Sequence, residues 1–244
     1  MKRIDSRALL VRSVPYGEAD LIATFFTEAA GKVSAIVRGA RRSTKRFAGA
    51  LEPIHELAIT LEDRGKELCT LKEARIARAR HGIVSDLDTM EAAGRALRWV
   101  RHLCPARTPE PAAWASLEAL LEALDAIGAS RGADRGQAVQ LRLVRFGLGL
   151  LADVGYALDF ERCVRCGKPC PAGRSAFVDG GAGGLVCMTC GGARRTMSAE
   201  LRALAVDATR APDPAAVSIS APRTNELLEI VEEAMSAHTD FDPT

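Results

Sequence analysis

No stretch of the 244 residues stays apolar for the ~20 positions that a membrane-spanning helix needs. The start, MKRIDSRALLVRSVPYGEAD, lacks the apolar core and small-residue cleavage site of an export signal. Together these absences exclude helical membrane spans and lead to the expectation of a cytoplasmic protein. A phosphate-cradling GxxxxGK[ST] loop is missing as well: Gly31-Lys32 is followed by Val33, and position 26 is Phe. There is no HExxH, and His55, His81, His102 and His238 have no cysteine or carboxylate at a spacing that builds a catalytic zinc site. The H-x-E that zinc deaminases require beside a cysteine pair is also lacking. Nothing repeats internally. The chain is therefore expected not to be an enzyme.

What is present begins with an uneven charge. Overall the formal charge is +2, but residues 1–80 hold 16 Lys+Arg against 10 Asp+Glu, and the remainder holds 17 against 21. The front of the chain is thus +6 and the rest −4. The charge is densest in Arg38-Gly-Ala-Arg-Arg-Ser-Thr-Lys-Arg46, with five cations and no acid in nine residues.

Short β-type runs fill the first ~80 residues: Arg7–Arg12, Ala19–Thr27, Val33–Arg38, Ile54–Leu61 and Leu68–Ile76. Gly31-Lys32 and Asp63-Arg64-Gly65-Lys66 read as hairpin turns, and the longer third connection carries the basic stretch. Five short strands that avoid exposed edges predict a small barrel, OB or SH3-like, between which periodicity does not choose.

After residue 82 the apolar period lengthens to about 3.6. Leu87, Met90, Gly94, Leu97 and Val100 share one helical face. After Pro105, Pro109 and Pro111 come Trp114, Leu117, Leu121 and Leu124 on another. Val139, Leu143, Phe146, Leu150 and Val154 form a run apolar on several sides. Gly128–Gly136 is a polar loop, and further helices are expected near Ser198–Thr209 and Thr224–Ala237. The expected organisation is α+β and multidomain: a five-stranded barrel over 1–80, an all-α domain over 81–160 and 197–244, and a cysteine module inserted at 161–196.

Seven cysteines, an odd number in a chain expected to stay inside the cell, point to metal rather than a disulfide framework. Cys163-x-x-Cys166 and Cys187-x-x-Cys190, twenty residues apart, allow two tight turns whose thiolates close a tetrahedron at ~2.3 Å from one ion. Zinc suits a structural site of this kind, since four protein ligands leave no position for an activated water. Arg162, Arg165 and Lys168 stand beside the pair to offset the negative cluster. A redox CxxC or an iron–sulfur centre is the competing reading, Cys170 is near enough to substitute for a ligand, and Cys69 and Cys104 read as core residues.

Arg38, Arg41, Arg42, Lys45 and Arg46 on one loop, extended by Lys32, Lys2, Arg3 and Arg12 if the barrel brings them near, would make a surface for phosphates. The competing reading is a solvated loop. Phe47 at the loop's end either stacks on a base or plugs the barrel.

At these residues the chain resembles a known family, the bacterial DNA repair protein RecO family. The resemblance runs over almost the whole chain and rests on ALLVRSVPYGEADLIATFFTEAAGKVSAIVRGARRSTKRFAGALEPIHEL, ELCTLKEA, LLADVGYALDFERCVRCGK and GGLVCMTC. It implies an N-terminal OB-fold, a helical domain and a zinc module. It further implies binding of single- and double-stranded DNA, strand annealing, contact with the acidic C-terminal tail of single-strand binding protein, and action with RecR in loading RecA. No cofactor beyond zinc and no small-molecule substrate is implied. The loop from Arg38 to Arg46 would then belong to the DNA-binding face. Arg95, Arg98, Arg142 and Arg145 are candidates for gripping the acidic tail in an adaptor role, and an RNA-binding zinc-ribbon protein is the alternative should the likeness mislead. One departure is the end of the chain: Thr224–Thr244 holds six acidic residues and no Lys or Arg, so the last helix is expected to pack as an amphipathic cover, with Leu227, Leu228, Ile230, Val231 and Met235 inward, or to compete with DNA for the basic loop.

Overall fold

The computed structural model describes residues 1–42, 47, 49–130, 135–193, 195–210 and 221–241. Strands β1 (Lys2–Tyr16), β2 (Asp20–Thr27), β3 (Gly31–Val37), β4 (Glu56–Asp63) and β5 (Cys69–Arg78) occupy the five expected places. They close into a barrel in the order β1-β2-β3-β5-β4, with β3 and β5 parallel and the other pairs antiparallel. With β4 lying between β5 and β1, this is the OB-fold arrangement, and the choice left open by periodicity is resolved.

β1 is longer than its apolar centre suggested because it serves two neighbours. Lys2 to Leu9 pair with β4, Ala8 to Tyr16 pair with β2, and a bulge between Leu10 and Arg12 bends the strand from one to the other. Alternation along β2 sends consecutive aromatic rings into different cores. Phe25 joins Leu10, Val33, Leu57 and Leu71 inside the barrel. Phe26, equally buried, points outward and meets Trp114 with ring centroids 5.7 Å apart.

Trp114 lies on α3 (Pro111–Ala129), which follows α1 (His81–Val84) and α2 (Leu87–Leu103). The Asp86 carboxylate caps α2 by accepting from the Thr89 N–H at 3.1 Å. Residues Trp114, Leu117, Leu121 and Leu124 of α3 are buried as expected. On α2 the expected face is only half right: Leu97 and Val100 are buried, but Leu87 is 71% exposed and Met90 40% exposed. Alanines 92, 93 and 96 with Trp99 turn the buried face, because small residues permit close packing that a search for large apolar side chains overlooks.

A buried charge network joins α3 to the barrel. Arg80, with no exposed surface, donates to Glu118 at 2.7 Å and to the Ile54 carbonyl at 2.7 Å. Arg7 reaches Glu28 at 2.6 Å and lies over the Trp114 ring, 5.6 Å from its centroid. Burial, then the neighbouring Glu118, pushes the Glu56 carboxyl upward.

Contacts divide the chain into two compact units, Met1–Arg131 and Gly132–Thr244. The first three helices thus group with the barrel, whereas the sequence drew a boundary at residue 80. Their anchors explain the grouping, since Trp114, Arg80 and Glu118 all grip the barrel wall.

The second unit contains α4 (Arg135–Asp153), a three-stranded sheet ordered β7-β6-β8 from β6 (Ala176–Asp179), β7 (Gly184–Val186) and β8 (Arg195–Met197), then α5 (Ala199–Arg210) and α6 (Ala221–His238). Strands of three and four residues are too short to show a period, so the sequence did not reveal them. α4 is buried on several sides, and α6 turns Leu227, Leu228, Ile230, Val231 and Met235 inward. Its acidic face is partly engaged, Arg195 of β8 reaching Glu229 at 2.9 Å and Glu233 at 3.4 Å. Among the described residues no helix is long and apolar enough to cross a membrane.

Candidate nucleic-acid interface and four-cysteine centre

The basic stretch leaves the end of β3 and is tied to the β1–β2 turn. The Gly39 N–H donates to Asp20 Oδ1 at 2.8 Å, the Arg41 N–H to the Ala19 carbonyl at 3.0 Å, and Arg41 Nη1 to the Gly17 carbonyl at 3.2 Å. Arg42 pairs with Glu18 at 3.0 Å, both side chains exposed. The stretch is free of acids in sequence but not in space. An exposed pair of this kind holds little energy and yields readily to a phosphate. Arg38, Arg41 and Arg42 are exposed, and Lys45 and Arg46 lie outside the described residues. Phe47 is 5% exposed and belongs to the barrel core, which makes it a plug rather than a platform for a base.

Lys32 is not brought to this surface. It begins β3 and Arg38 follows its end, so the two stand roughly 20 Å apart along the strand. Lys32 Nζ donates to the Arg101 carbonyl near the end of α2, and burial lowers its pKa. Around it the barrel end is closed by residues 104–110: the Arg107 N–H donates to the Lys32 carbonyl at 2.9 Å, and the Arg107 guanidinium holds Asp63 at 2.8 Å and the Lys66 carbonyl at 2.6 Å. Here Gly31 is required, since at φ +65° a Cβ would come within 1.8 Å of the Thr108 carbonyl oxygen.

Cations outside the basic stretch do join Arg38. β3 meets β5 through two residue pairs only, Ala35↔Cys69 and Ile36↔Thr70. Beside this short seam lies a cavity of about 570 Å³ lined by Arg38, Arg64, Lys66, Lys72, Glu62 and Glu67, among others. Lys72 holds Glu62 at 2.8 Å and Arg64 also pairs with it; these bonds, Lys72 first, lower the Glu62 pKa. Arg64 and Lys66 belong to the turn that joins β4 to β5, which in OB-folds flanks the ligand-binding face. Their signal in the sequence is Asp63-Arg64-Gly65-Lys66, whose turn chemistry masks its charge.

In the second unit two matching turns bring four sulfurs together. In Cys163-Val-Arg-Cys166-Gly167 the Gly167 N–H donates to the Cys163 carbonyl at 2.8 Å. In Cys187-Met-Thr-Cys190-Gly191 the Gly191 N–H donates to the Cys187 carbonyl at 3.0 Å. Both glycines have positive φ, 71° and 56°. The Val164 N–H, donating to the Leu185 carbonyl at 2.8 Å, sets the first turn against β7, which leads directly into the second.

The four Sγ atoms of Cys163, Cys166, Cys187 and Cys190 lie within 4.8 Å of one another, with Cys166 and Cys187 3.9 Å apart. Four ligands at ~2.3 Å from a tetrahedral centre would be about 3.8 Å apart, so the set fits a thiophilic ion. Backbone N–H groups prepare it electrostatically. The Cys187 N–H, 3.3 Å from the Cys163 sulfur, leads the groups that lower that thiol to about 6. Cys190 moves the other way, to about 12, through its thiol contacts with Cys187 and Cys166. Four crowded sulfurs cannot all ionise against one another unless a cation shares the charge.

Arg165 spans the two turns, reaching the Gly191 carbonyl at 2.5 Å and Asp179 at 3.6 Å. Cys170 is half-buried and outside the converging set, while Cys69 and Cys104 are core residues.

The sequence that builds the barrel, the helices and the paired cysteine turns is similar to that of known proteins. The N-terminal model of recombination protein O matches residues 1–80 and its C-terminal model residues 84–243. The chain belongs to the RecO family. The DNA repair protein RecO of Anaeromyxobacter sp. (strain K) is 36% identical over 199 residues, covering 81% of this chain and 74% of that protein. That of Myxococcus xanthus is 35% identical over 191 residues, 78% and 74% of the two chains. For Geobacter metallireducens the figures are 29% over 238 residues, 98% and 93%. RecO membership thus extends over the barrel, the helices and the cysteine turns together.

Proposed function

We propose that this RecO-family chain is a DNA repair and recombination mediator that binds single- and double-stranded DNA through the Arg38 end of its barrel. The observation that carries the reading is the match of both RecO models along the chain. The cations Arg38, Arg64 and Lys66 beside one seam of an OB barrel support it, as do Arg41 and Arg42, exposed just after Arg38 and held at the β1–β2 turn. Guanidinium groups on this surface would neutralise phosphates of two strands and reduce their repulsion, so that complementary bases can meet and anneal. Family membership supports the further steps: work with RecR, contact with the acidic tail of single-strand binding protein, and help in loading RecA onto gaps. The role is stoichiometric rather than enzymatic, and its setting is the cytoplasm at the nucleoid.

For the four-cysteine centre the proposed ion is zinc, held by Cys163, Cys166, Cys187 and Cys190. Bound there it would cross-link the two turns and offset their charge, with no open position for a reacting water. Arg165 and the backbone N–H groups orient the sulfurs that receive it.

Fluorescence anisotropy with a labelled ~30-mer single strand tests the DNA reading. For every phosphate left without its cation, the slope of log affinity against log salt should fall by about 0.7. Arg38→Glu/Arg41→Glu/Arg42→Glu should weaken binding at least about tenfold and flatten that slope, with circular dichroism unchanged. Wild-type binding that ignores salt would overturn the reading.

A further inference from the structure

Among the described residues of Met1–Arg131 the aromatic side chains are buried with one exception. Phe25, Phe26, Phe47, Trp99 and Trp114 are at most 5% exposed, whereas Tyr16 is 52% exposed. Its ring makes no hydrogen bond and no ring contact among the described residues. Exposure of one apolar side chain is ordinary by itself. The surroundings of this one are not. Tyr16 ends β1, at the β1–β2 turn to which the basic stretch is tied by the Arg41 bonds to Ala19 and Gly17 and by the Arg42–Glu18 pair.

The register shows what shares a face with it. Ala23 and Phe25 of β2 and Val33, Ala35 and Val37 of β3 point into the barrel core, so alternation sends Ile22, Thr24, Ser34 and Ile36 outward. The Thr24 and Ser34 hydroxyls meet there at 3.1 Å. Past the bulge in β1, Val14 pairs with Ile22 and Tyr16 with Asp20, while Ile22 pairs in turn with Ile36. Val14, Ile22 and Ile36 thus form a half-buried apolar row across three strands. Beside it runs the row of Tyr16 and Asp20, continued by Arg38 just past the Leu21↔Val37 pair. Asp20 is engaged by the Gly39 N–H at 2.8 Å. At the other end of the apolar row stands Arg12, exposed and paired with Thr24. An apolar strip with a bare ring at its edge and cations on both sides matches a chain that is charged along its backbone and flat and apolar in its side groups.

We infer that Tyr16 is a base-stacking platform that selects single-stranded over double-stranded DNA. An unpaired base lies on the ring, its neighbours cover Val14, Ile22 and Ile36, and Arg12 and Arg38 take phosphates on either side. In a duplex the bases are already stacked and offer no face to the ring. Cations hold both kinds of DNA, and the ring tells them apart. The inference rests on the DNA reading and adds the residue that sets its strand preference. Phe47, spent on plugging the barrel, leaves this role open, and Tyr16 at the opposite turn fills it.

The test is anisotropy of the full-length chain with a labelled oligothymidine of ~12 nucleotides, within the site size of an OB-fold, and with a duplex of equal length. Tyr16→Ala should lower the affinity for the strand about tenfold relative to that for the duplex. The slope of log affinity against log salt should keep its wild-type value, since no phosphate contact is lost. Tyr16→Phe and Tyr16→Trp, which keep a ring, should hold the wild-type ratio to within about twofold. On a strand whose central sugars are abasic but whose phosphates are all present, the Tyr16→Ala penalty should vanish. Tyr16→Leu, which keeps apolar bulk without a ring, serves the same comparisons if circular dichroism shows that Tyr16→Ala is misfolded. An unchanged ratio of strand to duplex, a Tyr16→Phe as weak as Tyr16→Ala, a flattened salt slope, or an equal penalty on the abasic strand would each overturn the proposal. Salt-dependent wild-type binding alongside any of these would leave the DNA reading standing, whereas wild-type binding that ignores salt would strike that reading itself.

Discussion

The barrel and the cysteine module are both small β structures, yet they close by different means. The barrel has strands of seven residues or more, a continuous hydrogen-bonded circuit and an apolar interior from Ala8 to Leu71. The module has strands of three or four residues and four converging thiols. Burial over long strands supports the first; the second has short strands, and its four thiols are placed to share one ion that would cross-link its turns. The contrast explains why the two candidate sites differ in character. A self-supporting barrel can present exposed cations such as Arg41 at its ends, whereas the module's chemistry is spent on holding its own turns together.

The largest expected effect separates the two. Cys187→Ser should reduce bound metal and destabilise the module on the order of several kcal/mol, since ion binding at such sites is coupled to folding. Hydrogen exchange should show reduced protection over residues 159–197 with β1–β5 unchanged. Equal loss of protection in both regions would mean that the barrel depends on the module and would break the comparison.

A smaller effect tests how the barrel employs its charges. Lys32→Met keeps the aliphatic stem and removes the donor to the Arg101 carbonyl, so it should cost about 1–2 kcal/mol in chemical denaturation. The salt slope of DNA binding should not change. A flatter slope with unaltered stability would instead return Lys32 to the DNA-binding surface.

The seam between barrel and α3 should add a pH dependence. Burial, followed by His81 and Arg80, lowers the His55 pKa, and the Arg80 N–H donates to His55 Nδ1 at 3.2 Å. The folded chain therefore resists a proton that the unfolded chain accepts below about pH 6.5. Stability from this residue is present above that value and is lost as pH falls through it toward the lower folded pKa. Glu56 opposes the trend, because its raised pKa favours the protonated folded form. His55→Gln should shrink the loss of Tm between pH 7.5 and 5.5, readable by scanning calorimetry; an unchanged loss would place the titration elsewhere.

The parts legible in sequence share a physical basis, namely information carried by residues close together in the chain. Alternation in LIATFF, the 3.6 period of α3 and the spacing of the four cysteines are local patterns, and each has its counterpart in the structure. What escaped was set by partners distant in sequence. The employment of Lys32 depends on the end of α2, and the exposure of Leu87 and Met90 depends on what α2 packs against. The joining of Arg38 to Arg64 and Lys66 depends on the parallel meeting of β3 with β5. Arg202, buried on α5, is the extreme case, since four carbonyls from residues 160–174 define its role and none is visible from its own helix.

The same reasoning predicts the smallest effect and one of opposite sign. Glu18 was invisible as a partner of the basic stretch because a whole strand pair separates it from Arg42, yet the two meet at 3.0 Å. If the Arg38 end of the barrel holds phosphates, Glu18 competes with them for Arg42 and adds local repulsion. Glu18→Gln should therefore tighten DNA binding by about twofold at low salt, the scale of an exposed ion pair, and the gain should fade as salt screens it. Anisotropy at two salt concentrations measures this. A gain that persists at high salt would point to a changed turn conformation rather than released charge, and weaker binding would mean that Glu18 positions Arg42 for the phosphate instead of competing with it.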